Sequence, residues 1–444
     1  MMYNIYIVHH FIEGYMPSIA FLAGTKPQIH ILGGGTFSRV RNHLSLAAEA
    51  FGETAICLTD LFRDVADKKQ WEVYEHLTKM ASPRTSNLVT NEDVSSFLDQ
   101  LIANPLTKVI ILNIAFCDYN GQIGSVKSGK YSQRLKTRSG DQIMSLSVAD
   151  KLIKKVRQTR KDIFLVAFKT TCLETETAQY IAGLDLLKEN SANIVFANDT
   201  GNHRNMIIVP EEAKYCITEN RITALRALVD ITMKRCNLTF TRSTVIDGPS
   251  INWNGNEIPE SLRTVVNHCI QKGAYKAFRG NTAGHFAVKV NDSTFLTSKR
   301  STNFNNLDTI GLVKIESTNK DEVIAYGAKP SVGGQSQRII FAEHEDVDCI
   351  VHFHCPLKTE FRNTFPKRDQ YPYECGSHEC GQNTSDGLAL MGTDGNYPIK
   401  AVYLDEHGPN IVFNHNINPE NVITFIDHYF DLSQKTGGVV ELCH

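Results

Sequence analysis

His352 and His354 stand two residues apart, directly after the apolar run Cys349-Ile350-Val351. On a strand, residues i and i+2 project from the same face. This spacing therefore aims two imidazoles at one point, as a shared divalent cation requires. A third imidazole, His407, follows the apolar segment 401–404 in the run Asp405-Glu406-His407-Gly408. Three histidine nitrogens with one coordination position left open form the donor set of a catalytic zinc site. The plainer reading of His407 is a turn histidine beside Gly408. Between the two histidine segments, Cys375, His378 and Cys380 fall within six residues. They could hold a second metal, or be thiols incidental to a glycine-rich loop, since a free cysteine is more often packing than chemistry. His285 and His344 are assigned no role.

A different chemistry is implied earlier in the chain. Gly33-Gly34-Gly35-Thr36 follows the short apolar strand 29–32. A glycine run between a strand and a helix lets backbone amides approach an anionic ligand at the helix N-terminus. Many such turns hold no ligand, and this one is neither the spaced dinucleotide fingerprint nor a P-loop. Other polar segments recur near predicted strand ends: Arg41-Asn42-His43, Asp118-Tyr119, Arg134-Leu135-Lys136, Phe168-Lys169 and Ala197-Asn198-Asp199. Strand ends are where open α/β sheets bind ligands. Lys136 and Lys169 could supply positive charge there, or be solvated surface lysines.

The elements that must carry these groups divide the chain in two. Apolar runs at 29–32, 54–58, 108–114, 163–168 and 193–197 read as strands covered on both faces. Helical patterns fall at 42–51, 145–157 and 174–190. This alternation predicts a parallel α/β sheet with helices on both faces, a Rossmann-like arrangement. The polar, Gly- and Pro-containing stretch 240–258 predicts a boundary. A helix is expected over 258–272. Beyond it, HFAVKV and STFLTS predict an antiparallel hairpin, so the second half reads as α+β with mainly antiparallel strands. The expected units are a leader over 1–27, an α/β domain over 28–240 and an α+β domain over 258–444.

Composition excludes several classes. The 444 residues carry 46 Lys+Arg against 48 Asp+Glu, a formal net charge of -2, which argues against a nucleic-acid surface. No apolar stretch is long enough to span a bilayer, so no membrane partner is expected. The first residues lack the basic start of a secretory signal. Eleven cysteines scattered through apolar contexts predict reduced thiols in a cytoplasmic protein.

The first half resembles the phosphopantothenoylcysteine synthetase family across 28–235. ILGGGT resembles that family's strand and Gly-Gly-Thr turn, and RNHLS its Asn-x-Ser-Ser-Gly region. FCDY, RLK, VAFKTT and FANDT are similar to its Ala-Asp-Tyr, Lys-Ile-Lys, Gly-Phe-x-x-Glu-Thr and Ala-Asn-Asp segments. The resemblance implies a nucleotide cleft formed by Gly33, Gly34, Gly35, Thr36, Asp118, Phe168, Lys169, Ala197, Asn198 and Asp199. It implies that Asn42 and Lys136 act on an acyl-nucleotide formed from CTP or ATP with Mg²⁺. Two departures stand out: the second Ser and the Gly are missing after Asn42-His43, and Arg134 replaces a lysine, which is not a neutral exchange.

The second half resembles the class II aldolase/adducin family across 260–435. RGNTAGHFAVKV resembles its Gly-Asn-x-Ser entry, FLTSKR its Thr-Pro-x-Gly loop and KPSVGG its Pro-Ser-x-Glu segment. HFH and DEHG are similar to its metal-ligand turns. The resemblance implies that His352, His354 and His407 bind Zn²⁺ or another divalent transition metal. It places Asn281, Thr297, Ser298 and Ser331 around a substrate phosphate. Where the family carries its proton-shuttling glutamate, this chain has Gly333. Glu374, Glu379 and Glu406 are the candidates to replace it, with His378 behind them. The expectation is a bifunctional cytoplasmic metabolic enzyme and homo-oligomer. It would join zinc-dependent lyase, epimerase or dehydratase chemistry on a small phosphorylated metabolite to a nucleotide-dependent carboxylate–amine ligase. The alternative is a catalytically degenerate protein that binds a nucleotide or metabolite and regulates.

Overall fold

The computed structural model describes residues 26–319 and 322–436. Most of the expected 1–27 leader, and Cys443, lie outside the described residues. The first half is a seven-stranded sheet of β1 Gln28–Gly35, β2 Glu72–Leu77, β3 Thr107–Ala115, β4 Phe164–Thr171, β5 Ile194–Asp199, β6 Asn205–Ile208 and β7 Lys214–Thr218, in the order β7-β6-β5-β4-β3-β1-β2. The five strands from β2 to β5 are parallel, and β6 and β7 add antiparallel pairs at one edge.

Alternate residues of these strands enter two separate cores. Ile29, Ile31, Val109, Ile111 and Val166 pack under α1 Glu53–Lys69 and α5 Arg221–Arg235. Leu32, Ile110, Leu112, Leu165 and Val195 pack under α2 Asn91–Ala103, α3 Lys154–Thr159 and α4 Glu176–Asn190. This is the expected doubly covered α/β sheet. Because β2 lies outside β1 while β3 lies inside it, the strand order reverses beside β1. That reversal is a topological switch point.

Three local expectations fail. The stretch 42–51 is not a helix; Phe37–Arg41 and Leu44–Ala47 form an antiparallel hairpin. The apolar run 54–58 is not a strand but the start of α1. Its residues Ala55, Leu58, Thr59, Phe62 and Ala66 are buried at helical spacing, and a short apolar run does not distinguish strand from helix. The segment 145–157 splits into a strand, Met144–Val148, and the short helix α3.

The second half centres on a ten-stranded sheet. It is built from β8 Arg242–Ile246, β9 His285–Lys289, β10 Thr294–Thr297, β11 Val313–Asn319, β12 Glu322–Tyr326, β13 Cys349–His352, β14 Ala389–Asp394, β15 Tyr397–Leu404, β16 Gly408–Phe413 and the short strand Lys367–Arg368. Its central run β12-β11-β10-β9-β13-β16-β15 is antiparallel throughout. The predicted hairpin is β9–β10. One face carries the largest core, under α6 Glu260–Gln271 and α8 Pro419–Tyr429. The other packs a smaller core against α7 Gly334–Glu343. The sheet already includes β8, ahead of residue 258.

The two halves meet along a buried polar seam. Arg235 at the end of α5 pairs with Glu211 at 2.8 Å, both fully buried. Its guanidinium also donates to the carbonyls of Tyr371 and Gln370 in the second half. Glu212 takes two lysines, Lys188 from α4 at 2.7 Å and Lys435 from the chain's far end.

Candidate functional site

His352 ends β13, and His354 lies two residues past its end. His407 precedes β16, the next strand in the sheet. Glu406 has φ +58° and Gly408 φ +146°, so the chain reverses tightly and turns His407 back toward β13. At Gly408 a Cβ would fall 2.2 Å from the Phe353 carbonyl oxygen, so glycine there permits the close approach of the two segments. One nitrogen from each of His352, His354 and His407 lies within 4.8 Å of the other two. The Nε2 atoms of His352 and His407 are 3.3 Å apart.

That spacing fits a metal. Bonds of about 2.0–2.1 Å at tetrahedral angles put ligand nitrogens about 3.3–3.4 Å apart. The three side chains are 1%, 7% and 2% exposed, and burial holds each imidazole neutral. The His352 pKa falls to about 4, partly opposed by the Pro409 carbonyl. Those of His354 and His407 fall well below the ordinary value, through burial, the proximity of neighbouring imidazoles and the charges of Lys435, Lys188 and Arg235. His352 Nδ1 lies 2.7 Å from the Pro409 carbonyl. A carbonyl accepts only, so Nδ1 carries the proton and Nε2 presents its lone pair. His407 Nδ1 has no partner, so its ring can turn either nitrogen's lone pair to the site, and a cation between the two Nε2 atoms would take one lone pair from each. The donor set therefore suits a transition metal of the zinc class.

The residues expected around a phosphate divide by environment. Thr297 and Ser298 are fully buried at the end of β10. Thr297 donates to the Phe286 carbonyl, whereas Ser298 Oγ has no protein partner. Ser331 donates its N–H to the Ser298 carbonyl and lies just before the N-terminus of α7. Asn281 is exposed on a two-residue strand.

The three candidate carboxylates are placed differently. Both oxygens of Glu374 accept from Asn193 Nδ2 of the first half, at 3.0 and 2.9 Å. Burial lifts its pKa to about 7. Glu379 accepts from the Thr239 backbone N–H. Glu406 is exposed beside His407. Cys375 and Cys380 are free thiols, and burial pushes their pKa values up, Cys380 to about 11. Neither joins a metal-ligand cluster with His378 among the described residues.

In the first half, Gly33–Gly35, Ala115, Lys169 and Ala197–Asp199 lie at the C-terminal ends of adjacent parallel strands. The glycines are enclosed by protein. Cβ atoms on Gly33, Gly34 and Gly35 would fall 2.2, 2.2 and 2.0 Å from Ala55, Thr78 and the Ala48 carbonyl. They let α1 and two loops close on β1, and they do not lead directly into a helix. Thr36 is buried and ties strand exits together: it donates to Asn91 at 2.7 Å and accepts from the Cys117 N–H. Asp199 organises the loops around it. It accepts from Thr171 Oγ1 and from the N–H groups of Leu173, Glu174, Gly201 and Asn202. Burial alone would raise its pKa, but these donors hold it well below the usual carboxylate range.

Asn42 reaches the 130–132 loop through its N–H to Ser132 and its amide to Lys130, and Lys136 is exposed farther along that loop. Asp118 is exposed and pairs with Lys151 at 2.6 Å. The Phe168 ring packs tilted against Phe196, with centroids 5.3 Å apart. Asn198 accepts weakly from Thr170.

Sequence reasoning missed the groups that frame the triad: the Pro409 carbonyl, His285 and Gln337. His285 lies directly across from His352 in the β9–β13 pair. The alternating pattern of HFAVKV identified the strand, but not its register.

Residues 265–412 match the family described as Class II Aldolase and Adducin N-terminal domain. No curated protein matches the chain. Among solved structures, it is similar to the DNA/pantothenate metabolism flavoprotein from Streptococcus pneumoniae, at 20% identity and TM-score 0.38, covering 47% of this chain and 98% of that one. It is similar to the C-terminal domain of a coenzyme A biosynthesis bifunctional protein, at 13% identity and TM-score 0.33, covering 47% and 93%. It is also similar to L-fuculose 1-phosphate aldolase, at 14% identity and TM-score 0.28, covering 39% and 85%. From residue 265 to residue 412, the chain carries a class II aldolase and adducin domain.

Proposed function

We propose that this chain is a cytoplasmic metabolic enzyme whose second half performs metal-dependent lyase-type chemistry on a small phosphorylated metabolite. The observation that carries the reading is the buried triad His352, His354 and His407, with nitrogens at ligand spacing. Zn²⁺ or a similar ion bound there would act as a Lewis acid on adjacent substrate oxygens and stabilise an enediolate. The protein's own contribution is positional. The Pro409 carbonyl fixes the His352 tautomer, and burial keeps the imidazoles neutral and ready to bind. Ser298 Oγ, unpaired, and Ser331 beside the α7 N-terminus form an anion-binding corner for the phosphate.

The first half is the nucleotide-cleft component of the same proposal. Its strand ends gather Lys169 and Asn198 at one edge of the parallel sheet, and the Asn42 and Lys136 loops lie beyond them. CTP or ATP with Mg²⁺ is the expected ligand, and carboxylate–amine ligation the expected chemistry. A homo-oligomer is part of the proposal.

The test of the metal centre is elemental analysis of the purified chain. One transition metal per chain is expected, lost when His352 and His354 are both changed to alanine. Full turnover by metal-free protein would refute the reading.

One observation favours a second reading, binding without turnover. Position 333 has no carboxylate, and Glu374 and Glu379 are engaged by Asn193 and by the Thr239 backbone. Calorimetry with CTP, ATP and Mg²⁺, followed by a product assay, separates the two. Nucleotide binding without product formation would support the regulatory protein.

A further inference from the structure

His285 lies beside the metal centre and has no part in the triad. It opens β9 directly opposite His352. Opposed residues on neighbouring antiparallel strands share a face, and the two rings stand 4.7 Å apart between centroids. His285 is 4% exposed. Its Nδ1 lies 2.9 Å from Gln337 Nε2 on α7. A Cβ at position 333 would fall 2.1 Å from its Cδ2 and 2.2 Å from its Nε2. The ring therefore fills the volume that any side chain at 333 would need. Gly333 is the position where the aldolase resemblance calls for glutamate, so the absent side chain and the His285 imidazole exchange places.

The hydrogen bond decides what this imidazole can offer. As the Gln337 amide is placed, its N–H faces Nδ1, and a neutral ring then carries its proton on Nε2. Burial keeps the ring neutral. A carboxylate at 333 would have been an acceptor; His285 brings a fixed N–H donor to the same place. Enediolate chemistry develops negative charge on substrate oxygens, and a pre-positioned donor stabilises such charge.

We propose that His285 is a further catalytic residue, a neutral imidazole whose Nε2–H donates to an anionic oxygen of a substrate bound at the metal. This rests on the metal-centre reading above, and it requires no change in the protonation of His285.

The test uses the full chain loaded with Co²⁺, whose visible absorption reports both metal occupancy and ligand binding. The probe is acetohydroxamate, a small anion that binds metals through two oxygens. In His285→Gln a side-chain N–H remains near the Nε2 position; His285→Met has a similar shape and no donor. Both lose the ring, so any packing penalty is shared and their difference isolates the donor. Both variants are expected to bind one Co²⁺ per chain. His285→Gln should bind the probe within about threefold of the unmodified protein, and His285→Met about tenfold or more weakly. Equal affinities in the two variants would overturn the proposal.

Gly333→Ala is an independent check. Its Cβ forces the ring aside, so weaker probe binding at unchanged Co²⁺ stoichiometry is expected; unchanged affinity would overturn the proposal. If the unmodified protein takes up no Co²⁺, the metal-centre reading itself fails, a result distinct from both.

Discussion

At the scale of single residues, burial sets the chemistry. The three histidines of the triad stay neutral imidazoles at neutral pH because the surrounding protein solvates an imidazolium poorly. A metal that binds the folded site and not the unfolded chain stabilises the fold. Adding Zn²⁺ to metal-free protein should therefore raise Tm, and His352→Ala should abolish that rise; a shift that persists in the variant would place the metal elsewhere. Glu374 shows the same physics on an acid. Burial lifts its pKa from 4.5 to about 7, so between those values the folded state binds more proton than the unfolded state. Its stabilising contribution is complete below about 4.5 and fades as pH rises through 7. Glu374→Gln cannot ionise. The unmodified protein should lose stability relative to this variant between about pH 4.5 and 7 and level off above, measured by denaturant titration at each pH. No pH-dependent difference between the two would show that the carboxyl ionises normally.

At the scale of elements, both sites depend on where loops leave a sheet. Asp199 at the end of β5 gathers four backbone N–H groups and one hydroxyl, and so shapes the 171–174 and 200–202 loops beside the expected nucleotide cleft. Asp199→Ala orphans these donors, and buried donors without partners are costly. The expected result is a lower Tm and faster amide exchange at Leu173, Glu174, Gly201 and Asn202. Asp199→Asn, which keeps one acceptor oxygen, should recover part of that protection. Unchanged exchange in the alanine variant would mean that the loops hold themselves. The glycines of β1 act at this scale too. They admit Ala55, Thr78 and Ala48 against the strand, so their first effect is close packing at the switch point.

At the scale of the whole molecule, the histidine triad and the first half are electrically linked. Lys188 and Arg235, both from the first half, help hold His407 neutral, and Lys188 does the same for His354. Lys435 is fastened to Glu212 across the seam, and the next residue, Thr436, donates its N–H to the His354 carbonyl at 3.0 Å. The seam is held by the Arg235–Glu211 pair and by the carbonyls of Gln370 and Tyr371. Removing one partner of a buried ion pair leaves an uncompensated charge and costs about 3–5 kcal/mol. Arg235→Ala is expected to destabilise the protein by about that amount, read by denaturant unfolding. A change below about 1 kcal/mol would show that the seam is solvated and the halves are loosely joined.

Much of this was legible in one dimension because it follows from strict periodicities. Period-2 alternation and continuous apolar runs marked β3, β4, β5 and the β9–β10 hairpin. The His-x-His spacing marked two members of the triad, although His354 lies two residues past the end of β13 and not on the strand itself. Short apolar runs such as 54–58 carry no such constraint, and α1 was misread there. Long-range relations were decided only by the fold. Strand register put His285 opposite His352, and packing against Gly333 and Gln337 fixed its ring. The joining of the halves carried Glu374 to Asn193. Such contacts depend on which distant segments share a sheet or a seam, and local sequence pattern holds no information about that choice.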